Sequence, residues 1–311
     1  MIIDIEKIKR RLFDDPAIRA KLVHDYKLPC EPADPDALAS DLLRQLEQTP
    51  VEDPLAEKWT NKEVFKASVR ALGSNSRAWA KFLEHEKQLR ELLGDYDPEY
   101  TRKAKGALCA DLQSCLPGQT SATDACAIIC WARLLAETDD YYAFVCDLGQ
   151  AFRRLAGDSP FADTDLLPCV AGYLGKPPRA WKGEKYLCSP DRVPQERRKS
   201  PGMGYVLASE FLRNLGWKGF KPDRHVKRLF ARWSPNGAVK VNSQAQNLAR
   251  LIGSADKELR TNLAYSALGV CLSPSCMPLS HVDNLVWLLG VYVEKKNKES
   301  DHVYLKSEGV F

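Results

Sequence analysis

The sequence predicts an all-α protein. Apolar residues recur at helical spacing, as at Ile5, Ile8, Leu12 and Phe13 near the start of the chain. No pair of alternating apolar and polar runs joined by a tight turn predicts a β-hairpin. Of the 311 residues 44% are hydrophobic, which is enough to fill a core. We therefore expect a multi-helix fold.

The same apolar stripes predict the next helices. One stripe carries Leu38, Leu42, Leu43 and Leu46, and a later one carries Trp79, Phe82, Leu89, Leu92 and Leu93. Prolines separate these segments at Pro16, Pro35, Pro54, Pro98 and Pro117. Ser121 and Asp139 are suitable first residues for two further helices. Three more helices are expected around residues 241–252, 256–268 and 279–294.

The chain is expected to have two regions. Residues 1–115 have ordinary amphipathic spacing and no group of residues that carries chemistry, so they form an N-terminal helical extension of unknown role. Residues 116–311 contain the informative segments. Within them, residues 176–202 are rich in proline and in basic residues and lack a helical face, which predicts a long functional loop.

The distribution of charge is more informative than the formal net charge of +4. Between Lys176 and Arg232 there are 15 Lys and Arg against 5 Asp and Glu, a local excess of 10, so the rest of the chain sums to −6. A basic segment on an otherwise acidic protein is typical of a DNA contact face. A solvated basic loop is the alternative.

The cysteines and the N-terminus limit the other classes of protein. Most of the ten cysteines lie in apolar helical runs, such as Cys126 and Cys130, and we interpret them as core thiols. The chain has no Cys-x-x-Cys pair, so no zinc site is expected. No uninterrupted apolar run predicts a signal peptide or a membrane span, so we expect a cytoplasmic protein without a membrane partner.

Residues 201–232 carry the strongest functional signal. Gly202 and Gly204 frame a turn in which backbone amides at the start of a helix can hold a phosphate. Asp223 follows nineteen residues after Gly204, and it precedes a cationic helix that contains Lys227 and Arg228. It is a single carboxylate among positive charges.

At these residues the chain resembles the helix-hairpin-helix DNA glycosylases. The usual pattern of that superfamily is a Pro-Gly-x-Gly hairpin, about twenty residues, and an aspartate that begins a helix reading Val-x-Arg. The segment from Asp223 to Arg232 is close to the adenine-mismatch branch. The resemblance covers residues 200–233 and extends to about residue 292. It implies that residues 116–311 form a glycosylase-like fold with a helix-hairpin-helix element.

The resemblance also implies a role for Asp223. Loss of a base leaves positive charge on the sugar, and a carboxylate can stabilise that charge or direct a water molecule. Asp223 would be that catalytic residue, although a helix-capping role is the alternative and the two roles are compatible. Bifunctional members carry a lysine where this chain has Val206, so a monofunctional enzyme is expected. Only Cys271 and Cys276 lie where some members bind an iron–sulfur cluster, so no cofactor is expected.

The hairpin implies a set of DNA contacts. The turn at Gly202 and the amides around Met203, Gly204 and Tyr205 would bind a phosphate, with help from Arg198, Lys199 and Lys227. The segment QERRKS stands where the first hairpin helix usually ends in apolar residues, so that helix is expected to be short or irregular. Alternatively, the two glycines only close a loop.

Base excision also requires a residue that stabilises the flipped nucleotide. The candidates for the base pocket or the wedge are Trp181, Tyr186, Trp217 and His225. Trp181 and Tyr186 are preferred because they lie among the basic residues of the long loop. The alternative for each aromatic residue is a place in the core, and for His225 a place on the helix surface.

The expected function is a DNA glycosylase that acts on double-stranded DNA as a monomer and leaves an abasic site. Its substrate would be a damaged or modified base, and one option is a bulky hypermodified cytosine of phage DNA in a defence role. A non-catalytic DNA-binding module is the first alternative. A helical scaffold for protein partners is the second.

Overall fold

The computed structural model describes residues 1–28, 34–46, 51–104, 107–298 and 300–307. The protein is all-helical, as predicted. The α-helices in these ranges are α1 (Ile5–Phe13), α2 (Pro16–Tyr26), α3 (Pro35–Leu46), α4 (Asn61–Gly73), α5 (Trp79–Leu92), α6 (Pro98–Lys103), α7 (Leu108–Cys115), α8 (Ser121–Ala136), α9 (Tyr141–Ala156), α10 (Leu166–Gly175), α11 (Tyr205–Arg213), α12 (Arg224–Trp233), α13 (Gly237–Lys240), α14 (Asn242–Ile252), α15 (Lys257–Leu272) and α16 (Leu279–Leu288).

The chain forms two compact units that do not follow its linear order. The terminal unit consists of Met1–Pro50, Lys218–Leu248 and Asp256–Phe311. The central unit consists of Val51–Trp217 and Ala249–Ala255. Helix α14 therefore contributes residues to both units. Residues 1–115 and residues 116–311 likewise each contribute to both.

The terminal unit brings the two ends of the chain together. Strand β1 (Ile2–Ile3) pairs antiparallel with β2 (Leu305–Lys306). Helix α1 buries its predicted apolar stripe, and the Asp4 side chain caps it by accepting a hydrogen bond from Lys7 N at 3.2 Å. Helix α16 continues into a π-helical turn at Leu289–Val293.

Aromatic side chains fill much of the core of the terminal unit. Phe220, Phe230, Trp233 and Tyr304 form a continuous series with neighbouring ring centroids 5.4 to 5.9 Å apart. Helix α15 approaches this series closely, because a Cβ on Gly269 would lie 2.4 Å from Phe220. Packing of this kind fixes the start of α12 within the unit.

A buried carboxylate joins α12 to the C-terminal segment. Glu294 is fully buried and accepts hydrogen bonds from Ser300, Tyr304 and Arg232. Burial alone would raise the pKa of Glu294, but the bonds from Ser300, Tyr304 and Arg232 outweigh it and lower the pKa. Arg228 donates to the carbonyl oxygens of Gly290 and Glu294. Arg228 and Arg232 of α12 thus stabilise the contact between this helix and the C-terminal segment.

The central unit contains the long aromatic core of α8, α9 and α10. Trp131 packs against Tyr141 and Phe211, with ring centroids 5.3 and 5.2 Å apart. Helix α4 begins with a capping box formed by Thr60 and Glu63. Helix α8 begins at Ser121, as predicted. The start predicted at Asp139 is displaced, because α9 is capped by Asp140.

The long basic loop is confirmed. Between Gly175 and Tyr205 the only regular structure in this described range is two three-residue 3-10 turns, at Glu184–Tyr186 and Gln195–Arg197. No helix among the described residues is both long enough and apolar enough to cross a membrane. The side chains placed by the structure also include no cluster of three His, Cys, Asp or Glu residues suited to a metal ion.

The interpretation of most cysteines as core thiols is wrong. Within the described residues only Cys115 and Cys169 are buried, whereas five cysteines are exposed, namely Cys126, Cys130, Cys188, Cys271 and Cys276. The prediction relied on apolar composition, but an apolar helix still has one face that is exposed to solvent. In α8 the side chains of Ile128, Trp131 and Leu135 are buried. Cys126 and Cys130 are one helical turn apart and both exposed.

Candidate functional site

The glycine turn of the central unit packs closely on α8. Gly202 has a φ of +69°, and a Cβ at this position would lie 2.4 Å from the Cβ of Ala127 in α8. The indole of Trp131 donates a hydrogen bond to Pro201 O at 3.0 Å. Gly202 is therefore required both by the backbone conformation and by the close packing of the turn on α8.

Gly204 has no such structural requirement. It is exposed, its φ is −96°, and a Cβ at this position would meet nothing within 4 Å. It is the N-cap residue of α11, and no side chain caps that helix. Gly175 covers one side of this helix end, since a Cβ there would lie 2.8 Å from Tyr205 N. The remaining side leaves room for an anion at a positive helix end.

Two of the predicted phosphate contacts are buried and hydrogen-bonded within the protein, so their placement does not support that role. Met203 is only 2% exposed, and its N–H donates to Ser200 O at 3.2 Å within the turn. Arg198 is also 2% exposed, and its guanidinium donates to both carboxylate oxygens of Glu184 at 2.7 Å and to Val193 O at 2.9 Å. Arg198 stabilises the long loop from inside, because a buried guanidinium requires this many acceptors.

Several other residues at the turn and in the loop are exposed and basic, whereas Tyr205 is buried. Lys199 is exposed beside the turn, so it remains a candidate phosphate contact. The side chain of Tyr205 is buried, and Tyr205 is the first residue of α11. Earlier in the loop, the side chains of Arg179, Lys182 and Lys185 are also exposed.

Two of the aromatic candidates lie in the core of the central unit. Trp181 is 6% exposed, its indole N–H donates to Leu251 O at 2.8 Å, and its ring lies 4.6 Å from that of Phe152. Trp217 is 1% exposed and donates to the hydroxyl of Tyr142 at 3.0 Å. Neither side chain is exposed, so their placement favours the core alternative over a contact with a nucleobase.

Tyr186 is the aromatic candidate of the loop that remains. Its side chain is half-buried, and the ammonium of Lys185 lies 4.8 Å from the ring centroid. Its carbonyl oxygen accepts a hydrogen bond from Arg154 at 3.4 Å. A partly exposed ring beside a cation suits stacking against a base.

Asp223 begins α12 in the terminal unit. Its side chain is half-buried, and its Oδ1 accepts hydrogen bonds from His225 N at 2.8 Å and Val226 N at 2.9 Å. These bonds confirm the capping role and fix the orientation of the carboxylate. None of the described residues donates a hydrogen bond to Oδ2. One oxygen is thus used by the helix cap, and the other accepts no hydrogen bond from the described residues.

His225 is held as a neutral imidazole. Its Nδ1 lies 3.2 Å from Gly290 O, while its Nε2 accepts a hydrogen bond from the guanidinium of Arg224 at 3.2 Å. Burial lowers the pKa of His225 despite the nearby Asp223. Both ring nitrogens are used within α12 and the π-helical turn. This placement gives His225 a positioning role beside the carboxylate, and a contact with a base remains a prediction.

Lys227 is engaged within the terminal unit. Its ammonium donates to Oδ1 of Asn262 at 3.0 Å, and Asn262 is a buried residue of α15. The prediction of Lys227 as a phosphate contact is therefore unsupported by its placement. Glu294, which the sequence analysis missed, orients the same helix. Its position at the end of an apolar run gave no signal that it would be buried.

The two halves of the motif fall in different compact units, with the turn in the central unit and Asp223 in the terminal unit. No family model matches the chain, and neither a curated protein nor a solved structure matches it. Its function is therefore inferred from its own residues.

Proposed function

We propose that the protein is a monofunctional DNA glycosylase that removes a damaged or modified base from double-stranded DNA. The observation that supports this most directly is the state of Asp223, whose carboxylate is half-buried and oriented through Oδ1. A fixed carboxylate with one unoccupied oxygen suits a reaction in which positive charge develops on a sugar.

The reaction would proceed by hydrolysis. The bond between the anomeric carbon and the base breaks, and its electron pair leaves with the base. Asp223 stabilises the positive charge on the sugar, a water molecule adds to the anomeric carbon, and the proton that this water loses is taken up by the departing base. Neutral His225 contributes by holding the start of α12 against Gly290, since its ring nitrogens are already used.

DNA binding would depend on the open side of the α11 start, with Gly204 leaving space for a phosphate and Lys199 adding charge. The first helix of the proposed helix-hairpin-helix element is reduced to the 3-10 turn Gln195–Arg197. The proposed phosphate contact therefore involves only the glycine turn and the start of α11. We further propose that the fold is glycosylase-like and that the protein acts as a monomer.

Val206 occupies the position of the lysine nucleophile in bifunctional glycosylases. Valine cannot form a Schiff base, so we expect no covalent adduct when the protein is incubated with substrate DNA and borohydride. An adduct would refute the monofunctional assignment, with Lys218, Lys221 and Lys227 as the residues to examine by peptide mapping.

The experiment that tests the enzyme uses a panel of duplexes that carry oxidised, alkylated or hypermodified bases, including glucosylated hydroxymethylcytosine of phage DNA. Free bases are measured by mass spectrometry, and abasic sites are cleaved with alkali. Asp223→Asn is the matched variant, because asparagine caps a helix about as well as aspartate but carries no charge. Loss of base release with unchanged folding would support the proposal.

The second candidate is a non-catalytic DNA-binding module. The capping bonds of Asp223 favour it, because they give the aspartate a structural reason to be present. This candidate predicts salt-dependent binding of duplex DNA by the wild type and by Asp223→Asn alike, with no base released from any duplex.

A further inference from the structure

Three thiols lie close together on one face of the central unit. Cys109 is in the first turn of α7, and Cys126 and Cys130 are one turn apart on α8. The Sγ atoms of Cys109 and Cys126 are 4.0 Å apart. Cys109 is half-buried, whereas Cys126 and Cys130 are exposed. The pair therefore combines proximity with access from solvent.

Hydrogen bonds distinguish the two sulfur atoms. Gln113 Nε2 donates to Cys109 Sγ at 3.4 Å, and the Cys126 thiol lies 4.0 Å from the same sulfur. The hydrogen bond with Cys109 raises the pKa of the Cys126 thiol. Gln113 is thus a donor beside Cys109 that can stabilise negative charge on that sulfur during its reaction.

We propose that Cys109 and Cys126 are a reversible dithiol–disulfide pair that is oxidised by peroxides. The Cys109 thiolate attacks one oxygen of hydrogen peroxide, the O–O bond breaks, and water leaves after a proton is taken up, which gives a sulfenic acid. The Cys126 sulfur then attacks the Cys109 sulfur and displaces hydroxide, which takes the thiol proton and leaves as water. One peroxide is reduced to two waters as two thiols become one disulfide.

Forming this bond requires the sulfur atoms to approach from 4.0 Å to about 2 Å. The raised pKa of Cys126 does not oppose the second step. Its largest cause is the hydrogen bond with Cys109, followed by the charge of Cys109, and that charge is absent once Cys109 is a neutral sulfenic acid.

The location gives the pair a structural consequence. Ala127, the residue after Cys126, packs on Gly202, and Trp131 holds Pro201. A disulfide would fasten α7 to the helix that supports the glycine turn. The inference depends only on the thiols and not on the proposed glycosylase activity.

The test uses the full-length reduced protein. It is treated with a small excess of hydrogen peroxide, free thiols are blocked with N-ethylmaleimide, and unreduced peptides are mapped by mass spectrometry. We expect a Cys109–Cys126 cross-linked peptide that disappears on treatment with dithiothreitol. In Cys126→Ser the reaction should stop at Cys109, where dimedone should trap the sulfenic acid.

Cys130→Ser is the matched control, since Cys130 is an exposed thiol one turn along the same helix. The cross-link should form in this variant at the wild-type rate. Circular dichroism checks that each variant is folded. The proposal would be overturned if both thiols were alkylated separately with no cross-link, or if Cys109 paired with Cys130 instead.

Discussion

Replacement of Gly204 by aspartate separates the stability of the turn from its proposed grip on DNA. Gly204 is the N-cap residue of α11, its φ of −96° suits any residue, and a Cβ would meet nothing within 4 Å. Aspartate is a better N-cap than glycine, so Gly204→Asp should leave the free energy of unfolding unchanged or raise it by a few tenths of a kcal/mol.

DNA binding should change in the opposite direction. A carboxylate at this position would lie about 4 Å from a phosphate held by the helix start. The repulsion is about 1 kcal/mol in water and about 4 kcal/mol at the dielectric typical of a protein surface. Screening by salt favours the lower part of this range. We therefore expect duplex affinity to fall by about tenfold at low salt.

The assay is a fluorescence anisotropy titration of a labelled duplex at several salt concentrations. Loss of one phosphate contact should reduce the slope of log affinity against log salt by about one. Gly204→Ser is the control, because serine also caps the helix but adds no charge. Equal affinity and equal slope for wild type, Gly204→Asp and Gly204→Ser would refute the assignment of a phosphate to this turn.

The remaining predictions concern stability. Gly202→Ala should cost about 2 kcal/mol or more in chemical denaturation, because φ is +69° and Ala127 lies 2.4 Å from the new Cβ, whereas Gly204→Ala should cost less than about 1 kcal/mol; equal costs would contradict this. Asp223→Ala should lose about 1 kcal/mol through the helix cap and Asp223→Asn almost nothing; equal losses would show that charge, not capping, matters. The folded pKa of Glu294 is lowered, so its stabilising effect is present above its unfolded pKa of 4.5 and is lost as pH falls through the folded value. Glu294→Gln should therefore destabilise at pH 7 by about 3 kcal/mol, with a smaller difference from wild type in acid; a constant difference across urea titrations at both pH values would argue against this network.

Local patterns in the sequence predicted local structure well. The stripe at Ile5, Ile8, Leu12 and Phe13 lies on one helix face because helical spacing alone decides which side chains align. The long loop before the glycine turn was predicted from its prolines. Gly202 was predicted as a turn residue, and the structure adds its positive φ and the contact with Ala127.

Long-range contacts explain what the sequence could not show. Arg198 looked like an exposed phosphate contact, but Glu184 lies fourteen residues earlier and folds back onto it. Trp181 looked like a loop aromatic, but its indole donates to Leu251 O, seventy residues away. Neither partner is visible at helical or strand spacing. The proximity of Cys109 to Cys126 likewise arises only when α7 packs on α8.

The central claim is that the Asp223 carboxylate acts on a sugar. Its most direct test is the mass-spectrometric measurement of free bases released from the duplex panel by wild type and by Asp223→Asn. We expect the wild type to release at least one kind of base and Asp223→Asn, while folded and still bound to DNA, to release none. Equal release by both proteins would contradict a role of Asp223 in base removal. The same role would be contradicted if the wild type bound duplexes of the panel but released no base from any of them.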